Sequence, residues 1–507
     1  MLNGGQDSPA SRLCHAHLIV VHDTRRPMPS TDDRYVPVPD SSLPPMPYRD
    51  MPEPLPLRKI LGPSVILAGL GVGSGEYIIW PFITSIVGPW FLWAAVLSVT
   101  VQYFLNMEIE RYTLATGETA IAGFVRFWKP WGALFILFTI LPNMWPGWAT
   151  SGITIFTFLI GGGNVPLITI GVLIALGAVL TASPVVYQTL EKAQFFKVGL
   201  TIVFLAVAIA SAITATAWAD LPTAVTHFGQ LPPADQIPVS LMLSALVFAG
   251  AGGVNNLAQS NWIRDKGFGM GVYIPKIVSP ITGEETAAPA TGVMVRQTPE
   301  NIARFKVWWK RANTEQFWSF WFICVFSITV FSLLAYSTVF GQDVSDQANL
   351  AFIVAEGEVL KEVVGPWFGT FFWVFGSLSL VLVAMGVLDW VSRIVADIIK
   401  TVYLPTSQRW TESRIYFACV WITVLAGSII LLSGFNQPLL LLVIAACLNG
   451  GVMFVYSILL IQLNRRALPA PLRVRGLRLG MLVFAMVFYG FFAGWLVIVQ
   501  VQSYFAG

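Results

Sequence analysis

The sequence predicts an all-α polytopic membrane protein with eleven transmembrane helices. Of its 507 residues, 55% are hydrophobic and 11% are charged, and the mean hydropathy is +0.69. Soluble packing cannot hide that much apolar surface, so lipid is the solvent for most of the chain. The apolar runs are continuous and lack the alternation of membrane-spanning strands, which favours helices over a barrel.

Eleven apolar runs of about 20 residues are each long enough to cross a hydrocarbon core of about 30 Å. They lie near 61–80, 86–107, 131–160, 165–183, 193–217, 240–262, 316–340, 367–396, 414–433, 438–461 and 477–503. We refer to them as spans one to eleven.

The basic residues test this count independently, because Lys and Arg collect in loops that remain cytoplasmic. With eleven spans and a cytoplasmic N-terminus, all but one of the 30 Lys and Arg residues fall on the cytoplasmic side, the exception being Lys361. We therefore expect a multi-pass protein of the cell membrane with its C-terminus on the opposite side. The net charge of +3 follows from this orientation and does not indicate nucleic-acid binding.

The spans divide into two halves. Residues 1–58 are rich in Pro, Asp and Ser and are predicted to form a disordered cytoplasmic tail. Spans one to five occupy 59–217, and spans six to ten occupy 240–461 with a polar cytoplasmic insertion at 263–315. Because each set of five contains an odd number of spans, the second would enter the membrane upside down relative to the first. Span eleven, at 477–503, is peripheral.

Two spans carry glycine clusters that lead into polar residues. Span one reads A-G-L-G-V-G-S-G-E from Ala68 to Glu76, and span six reads A-G-A-G-G-V-N-N-L-A-Q from Ala249 to Gln259. Each Gly weakens a helix interior by about 1 kcal/mol relative to Ala. We therefore expect both helices to unwind near mid-membrane, at matching positions of the two halves.

Matched interruptions in inverted halves indicate a central binding site, where carbonyls and half-helix ends coordinate an ion or a solute. Small-residue helix packing is the alternative, but it does not account for the adjacent polar side chains. The candidate binding residues are Gly71, Gly73, Ser74, Glu76, Gly250, Gly253, Asn255, Asn256 and Gln259. Glu76 and Asn255 are the candidate metal ligands. An acid in mid-membrane usually faces a cavity or a partner, and the alternative for Glu76 is a protonated structural carboxyl.

Three further features of the spans concern structure more than chemistry. Asp389 and Arg393 have the i, i+4 spacing of an ion pair, with a structural or gating role. Pro142 and Pro146 predict a kink in span three, where Asn143 could face the cavity. The Asn449-Gly450-Gly451 sequence in span ten is interpreted as a packing notch.

Nothing in the sequence indicates an enzyme or a bound cofactor. There is no HExxH, GxSxG or phosphate-binding motif, and the four cysteines lack CxxC spacing. No histidine lies in a span, so any proton coupling would use Glu76 or another carboxyl. The sequence leaves the oligomeric state open.

At several of these positions the chain resembles the Nramp family of divalent-metal transporters. The matching residues are Gly62-Pro63 at the start of span one, Gln102-Tyr103 in span two, Ala115-Thr116-Gly117 after it, and Asn256-Leu257 in span six. The resemblance covers roughly 58–500 apart from the long sixth loop. It implies a LeuT-like fold of inverted five-helix repeats and transport of a divalent metal.

The chain departs from the family at the metal site itself. The family's Asp-Pro-Gly-Asn sequence aligns with Gly73-Ser74-Gly75-Glu76, and its Met-Pro-His aligns with Gly253-Val254-Asn255. The soft thioether and the histidine are thus replaced by glycine and asparagine. This puts the family's manganese and iron in doubt as substrates. Oxygen ligands suit hard cations, so magnesium fits these residues better than iron.

The sequence leaves three functions open. The leading one is a secondary active transporter that moves a divalent cation by alternating access around spans one and six, with protons as a candidate coupling ion. The second keeps the fold and carries an organic solute at the half-helix ends. The third is a membrane sensor that does not transport. The lipid bilayer and a small substrate are the expected partners.

Overall fold

The computed structural model describes residues 42–183, 185–274, 291–342 and 350–506. The first half of the chain folds into nine helices. They are α1 (Leu57–Ile60), α2 (Pro63–Gly71), α3 (Trp80–Val87), α4 (Leu92–Thr116), α5 (Ala120–Phe127), α6 (Trp131–Asn143), α7 (Gly147–Ile160), α8 (Val165–Ala182) and α9 (Val186–Ser211). A π-helical turn, Ser74–Ile79, continues directly into α3, and a 3-10 turn, Pro89–Phe91, leads into α4.

Two short helices, α10 (Ala215–Asp220) and α11 (Thr223–Thr226), connect the halves. The second half contains α12 (Val239–Val247), α13 (Val254–Lys266), α14 (Pro299–Gln316), α15 (Ile323–Thr338), α16 (Ala351–Val363), α17 (Pro366–Ile398), α18 (Glu412–Leu432), α19 (Pro438–Arg466) and α20 (Leu477–Ala506). π-helical turns follow α14 at Phe317–Phe322 and α17 at Ile399–Tyr403, and 3-10 turns lie at Gly269–Tyr273 and Ala470–Leu472.

The helices are those of a multi-pass membrane protein. In the described part of the chain, nine helices are long and apolar enough to cross a membrane. The remaining two predicted spans, three and six, are each divided into two shorter helices, α6 with α7 and α12 with α13. The predicted total of eleven crossings stays a prediction, because no single helix in either divided span is long enough to cross a membrane.

The long helix α17 organises the bundle, since it packs against α7 from the first half and α18 from the second. Helix α2 lies between α9 and α13. This packing places the interrupted helices of the two halves against one another in the centre of the molecule.

The last part of the segment predicted to be disordered is ordered. Residues 42–56, here called the strap, lie against the loops at one end of the bundle. Strand β1 (Tyr48–Arg49) pairs in parallel with β2 (Met294–Val295), and Met46 and Met51 are buried. Because the strand that pairs with the strap comes from a distant part of the chain, local composition could not predict that the strap is ordered. Residues 1–41 lie outside the described residues.

A buried ion pair links the strap to the bundle. The Arg126 Nε donates to Glu118 Oε2 at 2.7 Å, and Arg126 Nη1 donates to the carbonyl of Pro44 at 2.9 Å. Burial alone would raise the pKa of Glu118, but the Arg126 guanidinium and the hydrogen bonds from Gly292 and Tyr112 hold that pKa below its usual value. The pair therefore remains charged at neutral pH.

We expect Arg126→Met to lower the free energy of unfolding by about 3–5 kcal/mol, because it leaves the Glu118 carboxylate buried and unpaired. The measurement is the thermal midpoint of the purified protein in detergent, with the exposed Lys129→Met as the matched control. The double variant Arg126→Met, Glu118→Gln should recover part of the loss. Equal midpoints for Arg126→Met and the control would contradict the assignment.

Candidate functional site

The first span is interrupted between α2 and the π-helical turn, at residues 72–73, here called break 1. Its free backbone groups are satisfied from within the protein. The Val72 carbonyl accepts a hydrogen bond from Ser379 Oγ of α17 at 3.0 Å, and the Gly73 N–H donates to Glu76 Oε2 at 3.3 Å. The unwinding predicted from the glycines therefore occurs, and both halves of the chain stabilise it.

The sixth span is interrupted between α12 and α13, at residues 248–253, here called break 2. Gly250, Gly252 and Gly253 have φ values of 93°, 49° and 74°, in the left-handed region that favours glycine. Gln102 of α4 holds this loop on both sides. Its Nε2 donates to the carbonyls of Val247 at 3.0 Å and Ala249 at 2.8 Å, and its Oε1 accepts from the Gly252 N–H at 2.9 Å.

The two breaks touch. A Cβ atom added at Gly71 would lie 3.0 Å from the carbonyl carbon of Gly250, and one added at Gly75 would lie 1.7 Å from the carbonyl oxygen of Phe248. Real Cβ atoms do not make contacts that short with backbone, so glycine is required at residue 75. The close approach brings the irregular backbone of both halves to one point.

A small polar cavity lies at this junction. Besides Gly71 and Gly250, its walls include Ser74, Asn143, Trp148, Asn255, Trp390 and Asn449. About 20 Å³ is open to a water-sized molecule, which is room for roughly one water. In this closed arrangement the cavity does not admit a hydrated ion or a larger solute.

Asn449 of α19 joins three helices at the cavity. Its Nδ2 donates to Asn143 Oδ1 at 3.0 Å, where α6 ends, and its Oδ1 accepts from the Val254 N–H at 3.1 Å, where α13 begins. Asn449 therefore caps α13, a role that the packing-notch interpretation did not include, while the adjacent Gly450 packs closely against Leu243 and Val247 of α12. Asn143 does line the cavity, as expected from its place beside the two prolines.

The structure divides the predicted site residues into two groups. Gly71, Ser74, Gly250 and Asn255 line the cavity, and Trp148 Nε1 of α7 donates to Ser74 Oγ at 3.0 Å. The others are near the breaks but outside the cavity wall. Those are Gly73, Glu76, Gly253, Asn256 and Gln259.

Glu76 is fully buried beside break 1. One oxygen accepts from Gly73, and the other, Oε1, has no hydrogen-bond partner among the described residues. Two other titratable groups act on it, the ammonium of Lys197 on α9 and the thiol of Cys324 on α15. The acid predicted to face a cavity or a partner thus has a cationic neighbour.

Several buried oxygens near the breaks lack hydrogen-bond partners in the part of the chain that the structure describes. They are Oε1 of Glu76, Oδ1 of Asn255, Oδ1 of Asn256 and Oε1 of Gln259. Gln259 satisfies its amide by donating from Nε2 to Gln316 Oε1 at 2.8 Å. Buried unsatisfied acceptors are uncommon, and each calls for an explanation such as an unseen water or ion.

The described residues contain no group of three or more His, Cys, Asp or Glu side chains arranged to hold a metal. Asn255 is in the cavity wall and Glu76 is not. The side chains that line the cavity therefore offer neutral oxygens and no carboxylate.

Asp389 and Arg393 belong to a buried charge network at the end of the bundle where the basic loops lie. Arg393 Nη2 bonds Asp389 Oδ1 at 2.8 Å and also bonds Asp265 of α13. Arg264 bonds Asp397 of α17 at 2.5 Å and Glu412 of α18 at 2.8 Å. The network ties the far end of α13 to α17 and α18.

Sequence reasoning counted Lys197 among the cytoplasmic cations, but the structure buries it against the Gly69 carbonyl of α2. Sequence reasoning gave no role to Trp148 and used Gln102 only as part of a resemblance. A usable signal existed for Gln102 and Lys197, because each is a polar side chain inside an apolar run. Trp148 carried no such signal, since tryptophan is common in membrane helices.

Solved structures share this fold. A mutant of the manganese transporter from Eremococcus coleocola superposes with a TM-score of 0.66 at 11% identity, over 90% of this chain and 91% of that one. Mhp1, a nucleobase-cation-symport-1 family transporter in a closed conformation with bromovinylhydantoin bound, superposes with a TM-score of 0.52 at 13% identity, over 88% and 95%. No family model and no curated protein sequence matches the chain.

The fold and the paired breaks define a LeuT-like architecture, the class of inverted-repeat transporter folds. Within that class the chain shares the fold of the manganese transporter, which agrees at the level of fold with the resemblance found in the sequence. Identities this low establish the fold and leave the cargo to be proposed.

We expect Gly75→Ala to disrupt the contact between the breaks and to lower the free energy of unfolding by at least about 2–3 kcal/mol, as overpacking does. Gly199→Ala is the matched control, because a Cβ at residue 199 of α9 meets nothing within 4 Å. Thermal midpoints and yields of folded protein compare the two variants. A Gly75→Ala protein as stable as Gly199→Ala would show that the breaks do not touch.

Glu356 of α16 is another buried acid, with Oε2 unpartnered in the described structure. Burial raises the pKa of Glu356 well above its usual value, so the folded state loses stability as pH rises above about 4.5, the value for the exposed group. We expect Glu356→Gln to raise the thermal midpoint at about pH 8 and to leave it unchanged near pH 4.5. The exposed Glu362→Gln is the control, and a pH-independent effect would contradict the expectation.

Proposed function

We propose that the chain is a secondary active transporter that moves a divalent metal cation by alternating access around break 1 and break 2. The observation that carries the proposal is the set of unpartnered buried oxygens at the junction, above all Asn255 Oδ1 in the cavity wall. Oxygen acceptors without donors are suited to a cation. The fold shared with a manganese transporter supports the same class of cargo.

The atoms available as metal ligands in the cavity wall favour a hard ion. Ser74, Asn143, Asn255 and Asn449 offer oxygens in the cavity wall, and among the described residues no thioether or imidazole lines it. Hard cations prefer such ligands, and magnesium in particular keeps several of its waters when bound. Since the closed cavity holds about one water, a hydrated ion enters only after the two breaks separate.

Glu76 supplies the negative charge that this neutral oxygen site lacks. It lies next to break 1, outside the set of residues that line the cavity, with one oxygen unpartnered. From there it lowers the energy of a cation at the junction through space, or it carries a coupled proton. The latter role would use a carboxyl because no histidine lies in the predicted spans.

The aromatic side chains in the cavity wall favour a second kind of cargo. Trp148, Phe248 and Trp390 line the cavity together with three asparagines. Aromatic faces combined with amide donors are typical of sites for small organic solutes. A flat, uncharged, hydrogen-bonding solute is therefore the second candidate.

We expect the wild-type protein in proteoliposomes to take up magnesium, with manganese and calcium as comparison ions. Glu76→Gln should reduce uptake at least about tenfold, since about 1.4 kcal/mol of lost binding or barrier energy is tenfold and an interaction with a charged group is worth about 1.5–3 kcal/mol. The exposed Glu362→Gln is the matched control. Uptake with and without a proton gradient tests coupling.

Two results would overturn the metal proposal. One is full uptake by Glu76→Gln, which would remove the carboxylate from the transport path. The other is a folded wild-type protein that moves none of the three metals, in which case competition with neutral heterocyclic solutes tests the second cargo.

A further inference from the structure

A pocket lined by arginines lies where the chain turns from α19 to α20, far along the chain from both breaks. Its walls come from the end of α19, the connecting loop at 467–476 and the first turn of α20. They are formed by Arg465, Arg473, Val474, Arg475, Gly476 and Leu479. About 310 Å³ is open to a water-sized molecule, against about 20 Å³ at the junction of the breaks. The pocket therefore admits a polyatomic group such as a phosphate.

The connecting loop holds two of these arginines in defined positions. Leu472, between them and α19, is buried and anchors the loop. The Arg473 Nε donates to the carbonyl of Leu468 at 2.9 Å, and the Arg475 Nη2 donates to the carbonyl of Ala470 at 2.8 Å. Neither guanidinium makes another hydrogen bond to the described residues. Their remaining N–H groups are thus available to a ligand.

The positive charge of the pocket is not neutralised within the described part of the chain. Arg465, Arg473 and Arg475 form no ion pair there, whereas the nearby Arg478 pairs with Glu108 of α4. The preference of basic residues for cytoplasmic loops explains why arginine occurs at this end of the bundle. It does not explain why three arginines line one pocket without a carboxylate. That arrangement suits an anion, and guanidinium groups bind phosphate through paired hydrogen bonds.

The pocket lies beside the lipid-facing surfaces of α19 and α20. Helix α20 is peripheral, since only 22% of its most apolar stretch is buried inside the protein. Leu477, Phe484 and Val487 are exposed on α20 at the spacing of one helix face. On α19 the exposed Ile458 lies two turns before Arg465. Apolar surface therefore leads from the membrane to the arginines along both helices.

We propose that this pocket binds the headgroup phosphate of an anionic phospholipid, whose acyl chains lie along α19 and α20. Basic pockets between membrane helices are typical sites for acidic headgroups. A free phosphate would use the same charges and leave the apolar surface unused, so the two features together favour the lipid. Bound there, the lipid bridges the ends of α19 and α20 and stabilises the packing of α20 on the bundle. The site is separate from the breaks and does not depend on the transported cargo.

Lipid binding is measured on the purified full chain in neutral detergent, by native mass spectrometry and by the thermal midpoint. The probes are phosphatidylglycerol and phosphatidylcholine with the same acyl chains. We expect the wild-type protein to bind phosphatidylglycerol at least about tenfold more tightly than phosphatidylcholine. Only phosphatidylglycerol should raise the thermal midpoint.

The triple variant Arg465→Gln, Arg473→Gln, Arg475→Gln should lose this preference, because each arginine near an anionic lipid contributes about fivefold to binding. All three side chains are exposed, so the variant should fold without lipid. The variant Arg465→Lys, Arg473→Lys, Arg475→Lys keeps the charge and should keep most of the preference. It separates loss of charge from damage to the loop.

The matched control is Lys129→Gln, Lys192→Gln, Arg409→Gln, which removes the same charge from exposed residues of other loops. It should bind phosphatidylglycerol as the wild type does. Equal losses in this control and in the glutamine variant of the pocket would show that general surface charge attracts the lipid, and would overturn the site.

Two further results would overturn the proposal. One is equal binding of the two lipids by the wild-type protein. The other is stabilisation by inorganic phosphate, or by the deacylated headgroup glycerophosphoglycerol, that equals the stabilisation by phosphatidylglycerol. That result would assign the pocket to a soluble phosphate compound and reject the lipid.

Discussion

The structure depends on one constraint, which is that irregular backbone inside a membrane must find its hydrogen-bond partners within the protein. Break 1 and break 2 free several backbone groups near the middle of the bundle. Ser379 of α17, Gln102 of α4 and Asn449 of α19 bond those groups from three different helices. The arrangement of the surrounding helices is thus largely the arrangement that supplies these partners.

The glycines at the breaks weaken the helices, and they also allow the two breaks to pack closely against each other. Gly75 lets the turn after break 1 approach the carbonyl of Phe248, and Gly71 lets α2 end against Gly250. Because the two breaks pack directly on each other, neither half can change its geometry alone. Movement of the half-helix α2 would separate the breaks and enlarge the small cavity between them.

Helix α13 connects the cavity to the buried charge network. It begins at Val254, whose N–H is capped by Asn449, and its last turns carry Arg264 and Asp265, which bond α17 and α18. Because α13 is short and is held at both ends, its two ends cannot move independently of each other. The ion pairs at its far end therefore hold α13 against α17 and α18.

The sequence by itself determined the helical membrane class, the two interruptions and the acid beside the first one. These follow from local physics, since apolar length, glycine content and a charge in an apolar run are properties of neighbouring residues. The ion-pair spacing of Asp389 and Arg393 is equally local. Only the tertiary structure decided that Asn449 caps α13, that Lys197 meets Gly69, and that the strap is ordered. Each of these joins residues more than a hundred positions apart, and the side chains alone do not indicate which partner they will meet.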